Sequence, residues 1–563
     1  MDTKRIILAI VLCFIVLFLY QLIFFKKAPE PQGGSEPAAQ AEKALPQAPA
    51  QKELPSTSKP AQENKPERAK QNLQQVSAQN EELLTINTSL FKAVWSNKGG
   101  VLKSFQLRKH KTENDEDLEL VPAFAKETGV YPFALLDELP AAAKADFAGI
   151  KSNAYNGPFY KASGVNLNLG DGEKGEIRFQ YSDGKDIEIE KTFVFYGGKY
   201  DFDIAVSIKK NGQKVEPRLL WGPGIGNPTL EEQKKSFGGG GGATVFASNN
   251  LFRIDERRYK PEQSAFNFVN WAAYDDNYFA ALFLSGSENG TAVYLKLDTD
   301  KASYFYLAVN NPSRAFIGPK EFDTLVAFGH NAKKIVRFGF LGFIAEILLY
   351  ALKFIHRYIP NWGIAIIILT FVIKILFFPL TYSSTKSMAK MAELQPKVKA
   401  LKSKYKKAKQ DIAQRRQMNE EMMSLYKEHG VNPAGGCLPM LIQFPVLIGF
   451  FNLLRIAIEL RRSPFMLWIK DLSVKDPYYV TPILMGITQY IQQKMSPTSA
   501  DPTQARMMLI MPVVMTFLFM NFQSGLVLYW LTSNVLQIGQ QYIMNRMMKK
   551  KKREESHGKR RKK

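Results

Sequence analysis

The chain has 563 residues, of which 45% are hydrophobic and 23% are charged, and its formal net charge is +23. The apolar residues are concentrated in long runs rather than spread evenly, which excludes a purely soluble globular protein. Cys13 and Cys437, the two cysteines, both lie in apolar segments, and no Cys/His spacing typical of a metal site is present. We predict an integral membrane protein with a large soluble part and with no disulfide framework, metal or cofactor.

The positive charge is concentrated in two segments. Residues 383–430 contain 12 Lys+Arg against 5 Asp+Glu, and residues 546–563 contain 11 against 2. Basic clusters beside membrane helices mark the cytoplasmic side and can bind anionic lipid headgroups or RNA. A topology signal alone would explain much of this charge, so both interpretations remain open.

The N-terminal apolar segment is interpreted as an uncleaved membrane anchor. Lys4 and Arg5 precede an apolar run, 6–25, that is longer than a signal-peptide core and is not followed by an A-x-A cleavage site. We predict an anchor over 1–27 with its N-terminus in the cytoplasm. Residues 28–80 are rich in Pro, Ala, Gln, Glu and Lys with almost no aromatics, which predicts a disordered periplasmic tether.

Residues 81–330 are predicted to form an all-β domain. Short runs such as EIRFQYS and DIEIEKTFVFY alternate apolar and polar residues and are separated by turns rich in Gly and Asp, a pattern typical of half-buried strands. The Gly-rich pieces WGPGIGNP and SFGGGGGA lack the context of a phosphate-binding loop and are predicted to be ordinary loops. No histidine lies in a triad-like or HExxH setting, so an active site here is possible but unmarked.

Residues 331–359 are predicted to form an amphipathic helix in the membrane interface. Its apolar core is interrupted by Glu346 and is closely flanked by Arg337, Lys353 and Arg357. A spanning helix at this point would also place the next basic region outside the cell, against the positive-inside rule.

The most informative segment is the apolar run WGIAIIILTFVIKILFFPLTY at 362–382, which is long enough to cross a bilayer and contains Lys374. An ammonium inside a bilayer costs about 2.5 to 3.5 kcal/mol on insertion scales, so it normally faces a protein interior or a wet cavity. Thr370 lies one turn earlier on the same helix face, and the two residues indicate a polar groove. The alternative is that Lys374 extends its charge to the nearby interface.

A basic helical hairpin is predicted at 383–430, and four further apolar segments follow it. They are residues 433–454, 478–495, 507–522 and 525–544. With the anchor and the run at 362–382 they give six transmembrane helices, five of them in a core over 360–545, and a cytoplasmic basic tail at 546–563. The basic loop at 455–475 would then be external, which is a mild exception to the positive-inside rule.

Several motifs in this core are specific enough to indicate a family. They are FFPLTYSSTKSMAKMAELQPKVKALK, NPAGGCLPMLIQFPVLIGFF, LRRSPFMLWIKDLSVKDPYYVTPILMG and SGLVLYWLTSN. Together with the order of anchor, tether and β domain, they closely resemble the long Gram-negative form of the YidC/Oxa/Alb family of membrane protein insertases. The resemblance implies a non-enzymatic insertase and chaperone of the inner membrane, acting alone or with the Sec translocon. It also implies a periplasmic β-supersandwich related to sugar mutarotases, without an assigned catalytic role.

The resemblance further implies a hydrophilic groove that is open to the cytoplasm and to lipid, and the family usually has an arginine where this chain has Lys374. The predicted lining consists of Lys374, Thr370, Gln443, Gln489, Tyr529, Trp530, Ser533 and Asn534, with Asn452, Asn521 and Gln537 as further polar residues in apolar runs. Polar groups inside a membrane need partners or water. Hydrogen bonding between helices is the simpler explanation for roughly half of them.

The expected partners are newly made inner-membrane proteins, the Sec translocon and the lipid bilayer, without a small-molecule substrate. Six basic residues of the hairpin are candidate contacts for the ribosome or signal-recognition machinery: Lys386, Lys390, Lys397, Lys399, Arg415 and Arg416. Two other functions are considered. A transporter would require internal repeats and a path through both membrane faces, and the sequence shows no repeat. An enzyme in the β domain would require an acid–base pair, and no such pair can be picked out of the sequence.

Overall fold

The computed structural model describes residues 74–112, 114–137, 147–164, 166–226, 241–256, 259–261, 264–298, 303–339, 341–405, 411–431, 438–495 and 502–561. The predicted anchor and most of the predicted tether lie outside these residues, as do both cysteines. The described chain consists of a β-rich part followed by helices.

The β-rich part contains twenty strands within the described residues. They are β1 (Leu83–Asn87), β2 (Phe91–Ser96), β3 (Val101–Lys111), β4 (Asp117–Glu119), β5 (Leu135–Leu136), β6 (Lys161–Ser163), β7 (Leu167–Asn168), β8 (Lys174–Ser182), β9 (Ile187–Tyr196), β10 (Asp201–Lys210), β11 (Gln213–Val215), β12 (Arg218–Trp221), β13 (Gly242–Ala247), β14 (Asn250–Asp255), β15 (Ala265–Asn267), β16 (Val269–Asp275), β17 (Phe279–Ser285), β18 (Thr291–Asp298), β19 (Ser303–Asn310) and β20 (Pro312–Pro319).

These strands form three sheets. The first has the order β4-β3-β2-β1-β7, and the third has the order β15-β18-β19-β12-β5. The second has ten strands in the order β14-β13-β16-β17-β20-β10-β9-β8-β6, with β11 paired to β10. Neighbouring strands are antiparallel apart from β1 and β7, which are parallel. All three sheets contribute to one hydrophobic core.

Strand β19 shows how the third sheet is covered on both faces. Leu307 and Val309 lie in the core shared by the three sheets. Tyr306 and Ala308, the alternate residues, lie in a second and smaller apolar cluster. Successive side chains of a strand point to opposite faces, so an apolar run of this kind is buried on both sides.

Lys191 occupies a core position in β9, whose alternate residues are buried. Its ammonium donates to the carbonyl oxygens of Gly99 at 2.6 Å, Gly100 at 3.2 Å and Phe133 at 2.9 Å. Gly99 and Gly100 have φ values of 69° and 57°, in the left-handed region that favours glycine. The buried lysine therefore joins a glycine turn to the sheet by hydrogen bonds to neutral groups.

Lys191 is expected to make the stability of the β-rich part depend on pH. Burial lowers the pKa of Lys191 from 10.5 to about 7, so the unfolded chain binds more protons between those pH values. The contribution of Lys191 to the free energy of unfolding therefore rises with pH in this window, by up to about 1.4 kcal/mol per pH unit. We therefore expect the free energy of unfolding of the wild type, relative to that of Lys191→Met, to increase by about 2 kcal/mol between pH 7.5 and 9.

Urea unfolding of a fragment containing residues 74–339 would measure this difference at the two pH values. The exposed Lys185 provides the control, because Lys185→Met should leave the pH dependence of the wild type unchanged. A difference between wild type and Lys191→Met that stays constant with pH would show that Lys191 keeps an ordinary pKa in the folded protein.

Twelve α-helices lie within the described residues. They are α1 (Ala123–Thr128), α2 (Phe147–Ser152), α3 (Phe322–Phe328), α4 (Gly342–Tyr358), α5 (Trp362–Leu376), α6 (Phe378–Glu393), α7 (Gln395–Lys404), α8 (Ile412–Glu428), α9 (Leu438–Ile456), α10 (Val480–Met495), α11 (Pro502–Phe519) and α12 (Ser524–Arg561), with 3₁₀ turns at Ala332–Ile335 and Ile458–Leu460. Helices α4, α5, α9, α10, α11 and α12 share a second hydrophobic core. Among the described helices, none alone combines the length and hydropathy of a membrane span, whereas α4 and α5 do so as a pair bent by 120°.

The apolar run predicted as one helix over 362–382 is divided in the structure. Helix α5 ends at Leu376, and α6 begins at Phe378 with Pro379 in its first turn. Proline lacks an N–H and its ring clashes with the preceding turn, so it favours the start of a helix over its interior. Lys374 consequently lies in the last turn of α5, where the helix dipole favours a cation.

The predicted interfacial helix over 331–359 begins later than expected, at Gly342. The residues before it are held by the β-rich part, since Ile335 is buried in the core of the three sheets and Arg337 forms ion pairs with residues of that part. One face of α4 packs into the helical core, and the opposite face exposes large apolar side chains: Phe343, Ile347, Tyr350, Phe354 and Tyr358. Helix α4 is therefore apolar on both of these faces.

Two other predicted boundaries differ from the structure. Val76 and Ser182 exchange backbone hydrogen bonds, so the chain joins the β-rich part before residue 80. Helix α12 continues through the basic tail to Arg561, because Lys, Arg and Glu are good helix formers.

A buried ion network joins the β-rich part to the start of α4. The ammonium of Lys320 lies 2.9 Å from a carboxylate oxygen of Asp275, and both side chains are almost fully buried. Arg337 pairs with Asp275 at 3.2 Å and with Asp255 at 3.0 Å, and the Thr244 hydroxyl donates to Asp275 at 2.6 Å. Burial would raise the pKa of Asp275, but these cations and hydrogen bonds outweigh it and hold the pKa below its usual value.

The basic loop after α9 also contacts the β-rich part. The guanidinium of Arg461 lies 5.5 Å from the ring centroids of both Tyr278 and Phe279, and Arg462 donates to the carbonyl oxygen of Thr112. Cation–π contacts and hydrogen bonds to the neighbouring sheet give these arginines a structural role. This role explains why the loop is basic although it is predicted to be external.

Candidate functional site

Helix α12 carries one row of polar side chains at four-residue spacing. The row consists of Tyr529, Ser533, Gln537, Gln541 and Asn545. Residues four apart lie one above the other on the same helix face. Helix α12 packs against α5, α9 and α10, so this polar face lies among the other core helices.

Lys374 is the cation of the site, and its partner is on α12. The ammonium donates to the side-chain oxygen of Gln537 at 3.1 Å. Both side chains are half-buried. Within the described residues, no carboxylate forms an ion pair with Lys374. The cation is therefore oriented by a neutral amide, which leaves its charge uncompensated by these residues.

Gln443 and Tyr529 form a second polar pair between α9 and α12. The amide of Gln443 donates to the Tyr529 hydroxyl. The Tyr529 ring is fully buried and stacks on Phe450 with 4.3 Å between ring centroids. Tyr529 is thus part of the packed interior.

Two further pairs connect α10 to α12. The indole N–H of Trp530 donates to the side-chain oxygen of Gln489 at 3.4 Å. The amide of Asn534 donates to the carbonyl oxygen of Met485 at 3.2 Å and lies 3.5 Å from the Thr488 hydroxyl. Asn534 is buried, so these contacts act as hydrogen bonds between helices.

The structure places several predicted residues away from an open surface. The buried Thr370 hydroxyl donates to the carbonyl oxygen of Ile366 in its own helix at 2.6 Å. Ser533 and Asn452 are buried as well, whereas Asn521 is exposed beyond the end of α11. Of the predicted lining, Lys374, Gln443, Gln489 and Trp530 remain partly exposed.

Three residues of α12 that were not predicted also belong to the site. The amide of Gln540 lies 3.5 Å from the carbonyl oxygen of Lys374, and the buried Gln541 donates to Asn545 at 3.0 Å. The four-residue spacing from Gln537 to Gln541 and Asn545 is the signal in the sequence that would have found two of them.

Exposed apolar side chains surround Lys374 on α5. They are Phe371, Val372, Ile375 and Leu376, each more than half exposed. A single cation therefore lies within an apolar surface that is available to lipid or to another apolar helix.

The basic residues predicted in the hairpin are exposed. Lys386 and Lys390 lie on α6, Lys397 and Lys399 on α7, and Arg415 and Arg416 on α8. A small apolar cluster of Leu394, Val398, Tyr426 and Val431 holds α7 and α8 together. Lys397 contacts His429 at 2.9 Å, and Arg416 pairs with Glu420 at 3.1 Å, so these two basic side chains are partly engaged.

Two protein-family models match the chain, and together they cover most of it. The family described as 60Kd inner membrane protein matches residues 354–552, and the family described as YidC periplasmic domain matches residues 83–351. The membrane protein insertase YidC of Syntrophus aciditrophicus (strain SB) is 36% identical over 564 residues, which cover 96% of this chain and 99% of that protein. The membrane protein insertase YidC of Geobacter sp. (strain M21) is 38% identical over 478 residues, which cover 82% of this chain and 85% of that protein.

Solved structures are also similar to the chain, and one of them is a relative in the same family. It is described as an active YidC insertase with its first transmembrane domain resolved. The sequences are 20% identical, the match covers 84% of this chain and 95% of that chain, and the TM-score is 0.36.

Proposed function

The chain belongs to the YidC family of membrane protein insertases, and from this premise we propose that its polar α12 face and Lys374 form the groove that receives an incoming protein. As a member of this family, the chain is an inner-membrane insertase with a periplasmic domain. The groove is proposed to open toward the cytoplasm and the lipid.

The observation that carries the proposal is the pairing of Lys374 with a neutral amide. A half-buried cation that forms no ion pair with a carboxylate of the described residues attracts an anion, and the interaction is strong where water is scarce. The acidic tail of a client protein would supply that anion. The polar side chains of α9, α10 and α12 would meanwhile replace part of the water around the rest of the tail.

The exposed apolar side chains beside Lys374 suit the transfer of the client's apolar segment into lipid. The apolar segment of the client can lie against α5 while its polar tail contacts the cation. Transfer of that segment into lipid is favourable by about 25 cal/mol per Å² of apolar surface removed from water. The client's own hydrophobicity can therefore drive insertion without a nucleotide.

The proposed topology has six spans, with both termini in the cytoplasm and the β-rich part in the periplasm. The spans are the predicted anchor and helices α5, α9, α10, α11 and α12, and α4 lies in the interface. In this orientation the basic hairpin is cytoplasmic, in agreement with the positive-inside rule. Its exposed basic residues are then available to the ribosome or signal-recognition machinery, and the Sec translocon is a further proposed partner.

Site-specific photo-crosslinking in cells would test the groove. We place a photoreactive residue at Ile375, which is 56% exposed beside Lys374, and at Ile510 of α11, which is 60% exposed and provides the matched control. A short client with an acidic tail should cross-link at least about fivefold more from position 375. Equal yields from both positions would mean that clients contact the whole lipid-facing surface rather than a groove.

A further inference from the structure

A cavity of about 490 Å³ lies where the β-rich part meets the start of α4. The charged residues that line it are Arg253, Lys333, Lys334, Arg337 and Glu346. Four cations thus face one carboxylate inside the lining. Arg337 is compensated by its ion pairs with Asp255 and Asp275, and Lys333 pairs with Glu346 at 3.5 Å, so the excess positive charge of the lining lies on Arg253 and Lys334.

Two guanidinium N–H groups in the lining residues are buried and have no hydrogen-bond partner within the described residues. They are Nη1 of Arg253 and Nε of Arg337. The second terminal nitrogen of Arg253, Nη2, donates to the carbonyl oxygen of Lys334 at 2.6 Å, and this hydrogen bond fixes the orientation of the guanidinium group. Buried donors without partners are costly, and an oxyanion is the acceptor that guanidinium groups bind most strongly.

The charge of Arg253 is also incompletely compensated. Burial, together with the positive charge of Arg337, lowers the pKa of Arg253 to about 10. A bound anion would stabilise the charged form of both guanidinium groups. Lys333 and Lys334, the two lysines of the lining, are exposed and can therefore reach a ligand at the mouth of the cavity.

We propose that this cavity binds the phosphate headgroup of an anionic phospholipid. The exposed apolar face of α4 begins at Phe343, directly after Gly342 of the cavity lining, and Phe343 is 63% exposed. A lipid whose phosphate occupies the cavity can therefore lay its acyl chains along α4. This continuity favours a lipid over a free phosphate ion, which would use only the charged part of the site. The assignment of this lipid to the periplasmic leaflet rests on the proposed topology, whereas the binding does not depend on insertase activity.

Calorimetric titration of the purified full-length chain in detergent would measure the binding. The probe is dihexanoyl phosphatidylglycerol, with dihexanoyl phosphatidylcholine and inorganic phosphate as comparisons. We expect saturable binding of the anionic lipid that is at least tenfold tighter than binding of either comparison. Equal affinity for phosphatidylcholine would overturn the role of charge, and equal affinity for inorganic phosphate would overturn the assignment of a lipid.

Matched variants connect the binding to this cavity. The double variant Lys333→Gln/Lys334→Gln changes two exposed side chains and should bind the anionic lipid at least fivefold more weakly. The control Lys209→Gln/Lys210→Gln changes two adjacent exposed lysines of β10 and should bind as the wild type does. Arg253→Gln, with its folding checked by thermal unfolding, should weaken binding further. Wild-type affinity in the Lys333/Lys334 variant would overturn the proposal.

Discussion

Replacing Lys374 with glutamate is expected to lower the insertion of a short, acidic-tailed client at least about tenfold, whereas Lys374→Arg retains most of the activity. Two unit charges 4 Å apart contribute about 4 kcal/mol at an effective dielectric constant of 20, and about 1.4 kcal/mol corresponds to a factor of ten. Glutamate reverses the sign of this interaction, alanine removes it, and arginine keeps it. We therefore expect Lys374→Ala to be intermediate between the wild type and Lys374→Glu.

Complementation of insertase-depleted Gram-negative cells would provide the measurement. Insertion is followed by the accessibility of the client to protease, at matched levels of each insertase variant. Thr370→Val is the control on the same helix, because its hydroxyl bonds to the carbonyl oxygen of Ile366 and the change should leave insertion near wild type. Full activity of Lys374→Ala would mean that the groove acts through hydration and shape, with Lys374 extending its charge to the interface.

Gln537→Leu separates the orientation of the cation from its presence. This variant keeps the charge of Lys374 but removes the amide oxygen that accepts its hydrogen bond at 3.1 Å. For a client with an acidic tail, we expect Gln537→Leu to lose less insertion activity than Lys374→Ala does. For a client with a neutral tail, we expect Gln537→Leu to insert it as the wild type does. An equal loss for both clients would indicate damage to helix packing instead.

Among the single substitutions proposed for the β-rich part, Asp275→Asn is expected to lower the free energy of unfolding the most. Asp275 is fully buried and compensates Lys320 and Arg337. Removing one partner of a buried ion pair leaves the other charge uncompensated and costs about 3 to 5 kcal/mol. Urea unfolding of a fragment containing residues 74–339 would measure the loss in the free energy of unfolding.

Arg314→Ala is the control for this measurement. Arg314 pairs with Asp203 at 2.7 Å, but both side chains are more than a third exposed. Exposed pairs contribute about 1 kcal/mol or less. The double variant Asp275→Leu/Lys320→Met should recover part of the loss, because it removes both buried charges together. A loss below about 1 kcal/mol in Asp275→Asn would show that the network does not need the carboxylate charge.

The sequence predicts the β-rich part well because strand patterning is local. The alternation in DIEIEKTFVFY corresponds to β9, and the turns between the alternating runs separate neighbouring strands. The same pattern also places Lys191 in the buried row, although its three carbonyl acceptors come from distant segments. Their identity depends on the packing of the sheets, which the alternation does not determine.

The family expected from the core motifs is confirmed by the comparisons. The polar residues of the site are visible in the sequence because each interrupts an apolar run. Their partners are not visible, since Lys374 and Gln537 are 163 residues apart and meet only when α5 packs on α12. The same holds for Arg337, which appears in the sequence as a flanking charge of a helix and in the structure as the member of a buried network.

The length of helix α12 connects the polar pairs of the core to the basic tail within one element. It contains 38 residues and is about 57 Å long at a rise of about 1.5 Å per residue. One end carries a member of each polar pair with α5, α9 and α10, and the other end carries the basic tail. Because one continuous helix contributes a partner to every one of these pairs, a rotation of α12 about its axis would change all of their geometries together.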